Sequence, residues 1–290
     1  MKSIFACAIA VAAAAWQVPS GVTRPQVMGI AYVHIQTSDM AKARAFYGGL
    51  LGFKETETST KAPDGAVFLV NARQRLFVTA GLPPERDERF IEVGFETDPA
   101  AMLPYLRARS IEAGIIDDQG GRALQHVVTT DPDKHSVHFV SNSFSPDESG
   151  AAPDRRISRR ILHIGLTVKD PAAADRFYKD TLGFSETWRG GRPEGTISWI
   201  NMRVPDGTDY LEYMLYPAAP PNRRQLGSAH HVALLVPDIQ QALETVRARL
   251  TPGDANRGAT PNIGVNNRWQ LNLFDPDGTR VELMEPWTVR

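Results

Sequence analysis

The residues of this chain best equipped for chemistry are histidines and glutamates set into short, alternating apolar runs. His163 stands in Leu162-His163-Ile164-Gly165-Leu166-Thr167-Val168, and His231 opens His231-Val232-Ala233-Leu234-Leu235. Glu212 is the centre of Leu211-Glu212-Tyr213, and Glu282 the centre of Arg280-Val281-Glu282-Leu283-Met284. In a strand, residues two apart share a face. His163 is therefore expected to lie with Gly165 and Thr167, while Leu162, Ile164, Leu166 and Val168 point the other way; Glu282 lies with Arg280 and Met284. The His-to-Glu intervals nearly match, 49 residues from 163 to 212 and 51 from 231 to 282. Cys7 is the one cysteine of the chain, which excludes thiolate zinc sites, iron–sulfur clusters and intramolecular disulfides. Any metal has to be held by imidazole and carboxylate, donors that suit a borderline divalent ion. His230, next to His231, faces the opposite way by alternation and reads as structural.

These residues need elements to position them, and the chain has the means. It has 290 residues, 42% hydrophobic and 22% charged, enough for two compact domains with their own cores. A net charge of −1 gives no electrostatic footprint for nucleic acid or an anionic membrane, so the expected partner is a small molecule. Lys2 followed by the apolar run Ile4 to Ala15 is too short to span a bilayer but suits the core of an export signal, with a small-residue cleavage site at Ala13-Ala14-Ala15. Residues 1–25 are thus expected to direct export to the periplasm or medium, with no membrane association once they are removed.

Internal repetition organises the remainder. A short strand, an Asp cap, an amphipathic helix and further strands recur four times. The clearest copies run from His34 to Asp39 and on through Ala43, Phe46, Tyr47 and Leu50, and from His163 to Asp170 and on through Ala174, Phe177, Tyr178 and Leu182. Both helices end in Leu-Gly-Phe, where Gly52 and Gly183 suit the left-handed residue that closes a helix. Fainter copies begin at Ile91-Glu92-Val93-Gly94-Phe95 and at His231. Asp131-Pro132-Asp133-Lys134 and Asp275-Pro276-Asp277-Gly278 are turns before the closing strands of the second and fourth units. The aperiodic stretch 146–157 reads as a linker between domains over 27–145 and 158–290.

The order of elements, the Phe-Tyr helix ending Leu-Gly-Phe, and Asp-Pro-Asp-Gly before Val-Glu-Leu resemble the vicinal oxygen chelate superfamily of glyoxalases, bleomycin-resistance proteins and extradiol dioxygenases. The resemblance implies an α+β fold of four βαβββ units paired into two glyoxalase-like half-barrel domains, each a cup able to hold a divalent metal. Ligands come from the first and last strands of each unit, which implies His163, Glu212, His231 and Glu282 around one ion, drawn from Zn, Ni, Co, Mn and Fe. The first domain departs from this pattern. His34 is read at the first-strand position, but Phe77 replaces a carboxylate, Glu92 stands for a histidine and His138 for the final glutamate. A permuted second metal site of His34, Glu92 and His138 competes with a decayed cup, and decay is favoured.

The resemblance further implies a glyoxalase-type isomerase or lyase, with the metal stabilising an enolate and Glu212 or Glu282 moving the proton. An Fe(II) extradiol dioxygenase and a metal-free binding cup of the bleomycin-resistance kind are the alternatives. Tyr210, Met214 and Arg280 share strand faces with the ligands and are expected to contact substrate. A monomer or a homodimer is compatible with two cups in one chain.

Overall fold

The computed structural model describes residues 21–56, 64–84, 86, 89–118, 124–141, 154–216, 226 and 228–289. The core of the expected export signal and most of the linker lie outside them.

Each Asp that the sequence places before a helix caps it. Asp39 accepts from the backbone N–H of Lys42 at the start of α1 (Met40–Arg44, running on as a π-helical turn, Ala45–Leu50). Asp98 accepts from Ala100 before α2 (Pro99–Arg107). Asp170 does the same for α3 (Pro171–Asp175, continued by Arg176–Thr181), and Asp238 for α4 (Ile239–Arg249). Gly52 and Gly183 close α1 and α3 with φ of 76° and 81°, as a left-handed cap requires. In the two Asp-Pro-Asp turns Gly278 takes φ of 82°, and Lys134 takes 73° at the matching position.

The strands form two eight-stranded curled sheets. The first holds β1 (Gly29–Gln36), β2 (Lys54–Thr56), β3 (Gly65–Leu69), β4 (Arg75–Thr79), β5 (Phe90–Glu96), β6 (Gly114–Asp118), β7 (Leu124–Thr130) and β8 (Ser136–Val140), in the order β2-β3-β4-β1-β5-β8-β7-β6. The second holds β9 (Ile161–Val168), β10 (Ser185–Gly190), β11 (Trp199–Arg203), β12 (Tyr210–Leu215), β13 (His231–Leu235), β14 (Asn262–Ile263), β15 (Arg268–Phe274) and β16 (Arg280–Thr288), in the order β10-β11-β12-β9-β13-β16-β15-β14. Within each sheet the two units meet antiparallel through their first strands, and each first strand pairs in parallel with its own unit's last. This is the expected α+β architecture of two tandem glyoxalase-like domains.

The helices cover the convex faces, where one continuous apolar core runs through both domains. Two buried tyrosines tie the domains across that core. Tyr47 of the first unit donates to Asp275 in the turn of the fourth (3.0 Å), and Tyr178 of the third to Asp131 in the turn of the second (2.9 Å). Burial raises Asp275 to about 6.

Two register expectations are corrected. Leu162 does not join the helix-facing core: the β9–β13 ladder passes from Ala233↔His163 to Leu234↔Ile161, so a bulge at Leu162 turns it into a small cluster with Tyr210 and Met284. And His34 is not the counterpart of His163. Tyr32 pairs across to Gly94 as His163 does to Ala233, and His34 pairs to Glu92 as Gly165 does to His231. Tyr32 therefore fills the first-strand position of the first domain. Counting back from the helix caps identifies it: His163 and Tyr32 each stand seven residues before their cap, Asp170 and Asp39, whereas His34 stands five before.

Candidate metal centre

Four strands at the middle of the second sheet, β12, β9, β13 and β16, set two rows of side chains across its concave face. One row reads Tyr210, His163, Ala233, Glu282, and the next Glu212, Gly165, His231, Arg280. The donors sit on alternate squares, with the small residues Ala233 and Gly165 between them. A Cβ on Gly165 would lie 2.1 Å from two atoms of the His231 imidazole, so the missing side chain is the space the ring occupies.

The four tips converge. The Nε2 atoms of His163 and His231 face each other at 2.9 Å. Glu212 Oε2 lies 3.9 Å from the first and 3.5 Å from the second, and Glu282 Oε2 lies 3.7 and 3.4 Å away. The donor atoms of His163, Glu212 and His231 all lie within 4.8 Å of one another. All four residues are buried. Two carboxylates and two inward imidazole nitrogens in so small a volume form a donor set whose chemistry fits a divalent ion. His231 is oriented for this role by Ala229, whose carbonyl lies 2.7 Å from Nδ1 and leaves the Nε2 lone pair facing the cup. His163 is held instead by stacking on Tyr210, 4.5 Å between centroids, and its Nδ1 has no hydrogen-bond partner.

Burial pushes both histidines well below their ordinary range, helped by their mutual proximity at His163 and by Arg280 at His231, so both are neutral and ready to ligate at pH 7. Burial, with the charge of Glu282 added, raises Glu212 to about 8. In metal-free protein folded Glu212 keeps a proton that the unfolded chain has already lost, so its contribution to stability disappears as pH rises towards 8. The histidines, depressed, contribute no slope above pH 7. Chelator-treated protein is expected to lose roughly 1 kcal/mol of stability between pH 7 and 8.5, measured by denaturant titration. Saturating divalent metal abolishes the loss, and a flat or rising metal-free profile would contradict the buried carboxyl.

A cavity of about 440 Å³ opens on one side of the donors. Met214 and Arg280 line it, together with Glu212 and Glu282, whereas Tyr210 lies behind His163 and lines a separate, smaller recess. Sequence reasoning gave Asn201 and Asn272 no role. They are the cross-strand partners of Glu212 and Glu282, and both side-chain carbonyls are buried without a hydrogen-bond partner. Nearly equal offsets from the two glutamates, 11 and 10 residues, were the available signal. His230 turns away from the cup, as alternation suggested, and meets the first domain, with Nε2 2.8 Å from the Thr167 hydroxyl and 3.2 Å from His135 and its ring stacked on Phe90.

The corresponding cup of the first domain is filled by Tyr32, Phe77, Glu92 and His138. Glu92 is shared between His34 (3.3 Å) and His138 (3.0 Å), and the Tyr32 hydroxyl lies 2.8 Å from His138 Nδ1. Burial works against ionisation of Glu92, but the hydrogen bond with His34 and the neighbouring histidines outweigh it and hold the carboxyl below its ordinary range. His34, Glu92 and His138 thus do not come together as an open metal site. They satisfy one another, because His34 stands one strand pair away from the ligand position.

Comparisons with known proteins agree with this architecture. The family model for the glyoxalase/bleomycin resistance protein/dioxygenase superfamily matches residues 29–152 and 160–283. By sequence, no curated protein matches significantly. Among solved structures, the 2,3-dioxygenase LapB from Pseudomonas sp. KL28 is similar at 17% identity, with a TM-score of 0.66 over 91% of this chain and 93% of that one. Homoprotocatechuate 2,3-dioxygenase from Arthrobacter globiformis is similar at 20% identity, with a TM-score of 0.68 over 93% and 82%. A substrate complex of the Brevibacterium fuscum enzyme with 3,4-dihydroxyphenylacetate gives 18% identity and 0.65 over 92% and 83%.

Proposed function

The chain belongs to the glyoxalase/bleomycin resistance protein/dioxygenase superfamily, and from that premise we propose that its second domain is a divalent-metal enzyme for small substrates with two adjacent oxygens. His163, His231, Glu282 and Glu212 would hold the ion, which when bound supplies Lewis-acid stabilisation of negative charge on a substrate oxygen. The observation that carries the reading is the second glutamate in the cup. Two histidines and one carboxylate suffice to hold an ion, and Glu212 adds a carboxylate on the cavity wall, where its Oε atoms can take a proton from a substrate carbon and return it. Arg280, Met214 and the walls of the cavity orient the substrate. This is proton-transfer chemistry of the isomerase or lyase type.

A second reading, iron-dependent ring cleavage of a catechol, is favoured by the tandem two-domain architecture shared with the dioxygenases above over more than nine-tenths of this chain. One pair of assays separates the two. Metal-loaded protein is incubated in D₂O with a panel of α-hydroxyketones, and exchange at the carbon next to the carbonyl is followed by NMR; in parallel, anaerobically iron-loaded protein is given catechols and oxygen uptake is recorded. Exchange that Glu212→Gln reduces by about 10²-fold or more is expected. Oxygen uptake without exchange would replace the isomerase reading with the dioxygenase one. Export to the periplasm or medium remains part of the proposal, because the signal-like run at residues 4–15 directs it.

A further inference from the structure

We propose that the substrate carries a carboxylate next to its pair of chelating oxygens and that Arg280 receives it; this rests on the reading of the cup as a metal site. Arg280 opens β16 in the same row as His231, and its guanidinium lines the cavity beside Glu212 and Glu282. Its hydrogen-bonding is unfinished. Nε is buried with no partner. Nη2 lies 2.8 Å from His231 Nδ1, but in the tautomer that ligates through Nε2 that nitrogen already carries a proton directed at Ala229, so it offers the guanidinium no lone pair. The nearest carboxylate oxygen, Glu282 Oε2, is 3.9 Å away and belongs to the donor set.

An arginine is always charged, and leaving its buried donors unmet is costly. The repeat shows how such a residue is normally satisfied. Arg75 holds the matching place on the last strand of the first unit, and its guanidinium is met by the backbone carbonyls of Asn71 and Gln74. Tyr210 holds that place in the third unit, stacked on His163 and needing no anion. Arg280 alone of these three lines the cavity beside the donor set, with a guanidinium whose buried Nε has no hydrogen-bond partner among the described residues. The charge balance points the same way, since two glutamates offset a divalent ion and Arg280 and Arg192 leave the cavity wall positive. A carboxylate fits both the charge and the planar fork of donors. The position of Arg280, against His231 and Glu282, places that carboxylate close to the metal-binding oxygens rather than at the far end of a long substrate.

The test uses the whole two-domain protein loaded with zinc, which binds but does not turn over a catechol oxidatively. Calorimetry compares 2,3-dihydroxybenzoate with its neutral amide. Wild type is expected to prefer the acid by about tenfold or more, the scale of one charge-assisted pair. Arg280→Gln is expected to erase the preference by lowering affinity for the acid about tenfold more than affinity for the amide, with zinc still bound at about one ion per chain, and Arg280→Lys to keep part of it. Should Arg280→Gln fail to fold, Arg280→Lys against wild type decides. Equal affinity for acid and amide in wild type, or a preference that survives Arg280→Gln, overturns the proposal. Zinc content is read separately. Protein that holds no stoichiometric zinc overturns the metal reading, and the same acid–amide comparison on that protein then decides the role of Arg280 alone.

Discussion

Replacing His231 with alanine is expected to take the protein from about one bound divalent ion per chain to nearly none after dialysis, and to lower activity by roughly three orders of magnitude. The imidazole supplies one of two nitrogen donors, and its removal leaves Glu212 and Glu282 facing each other with one histidine between them. His230→Ala is the matched control. That ring is one residue away in sequence and just as buried, but it points to Thr167 and His135 at the domain interface. It is expected to cost stability, about 1–3 kcal/mol through the lost packing and hydrogen bonds, while metal content stays near one. Elemental analysis of the two purified variants is the measurement. Retention of stoichiometric metal by His231→Ala, or its loss in both variants alike, would defeat the four-donor reading; tight ligand binding by a protein that never holds metal would instead favour a sequestering cup.

Gly165→Ala is expected to be nearly as damaging, although the residue donates nothing. The new methyl group would sit 2.1 Å from Cε1 and Nδ1 of His231 and 2.7 Å from the Ala229 carbonyl that orients the ring. Neither neighbour can retreat, because the ring is enclosed and the carbonyl is backbone. The expected result is a displaced ligand, metal affinity down by roughly 10²-fold or more, and about 1–3 kcal/mol of overpacking strain. Titration of metal-free protein with zinc and a competing chelator measures the first, and denaturant unfolding the second. Combining the change with His231→Ala is diagnostic, since the two act through one contact and the double variant is expected to bind metal no worse than His231→Ala alone. Additive losses would mean that Gly165 acts elsewhere.

The first domain is a natural version of the same experiment. Its counterpart of Gly165 is His34, and a side chain fits there because the neighbouring first strand carries Glu92 in place of His231. In turn Tyr32 takes the ligand position, and its ring lies where a Cβ on Gly94 would otherwise stand. The small residue has changed sides and the cup has closed on itself. This exchange is legible in the sequence, because the caps Asp39 and Asp170 set a common count that puts Tyr32, two residues before His34, at the place of His163.

Local chemistry wrote much of this protein into the chain directly. Asp caps, glycines at left-handed positions, Asp-Pro-Asp turns and period-two strands act over a few residues, so their fourfold recurrence was enough to establish the units, their pairing into two domains and the strands that carry His163, Glu212, His231 and Glu282. What lay beyond local reach was register and neighbourhood. A bulge at Leu162 shifts which side chain faces the cup, Gly165 matters only because His231 packs over it from another strand, and the open donors of Arg280 acquire meaning from what fails to surround them. Those facts depend on contacts between residues dozens of positions apart, and only the folded sheets bring such residues together.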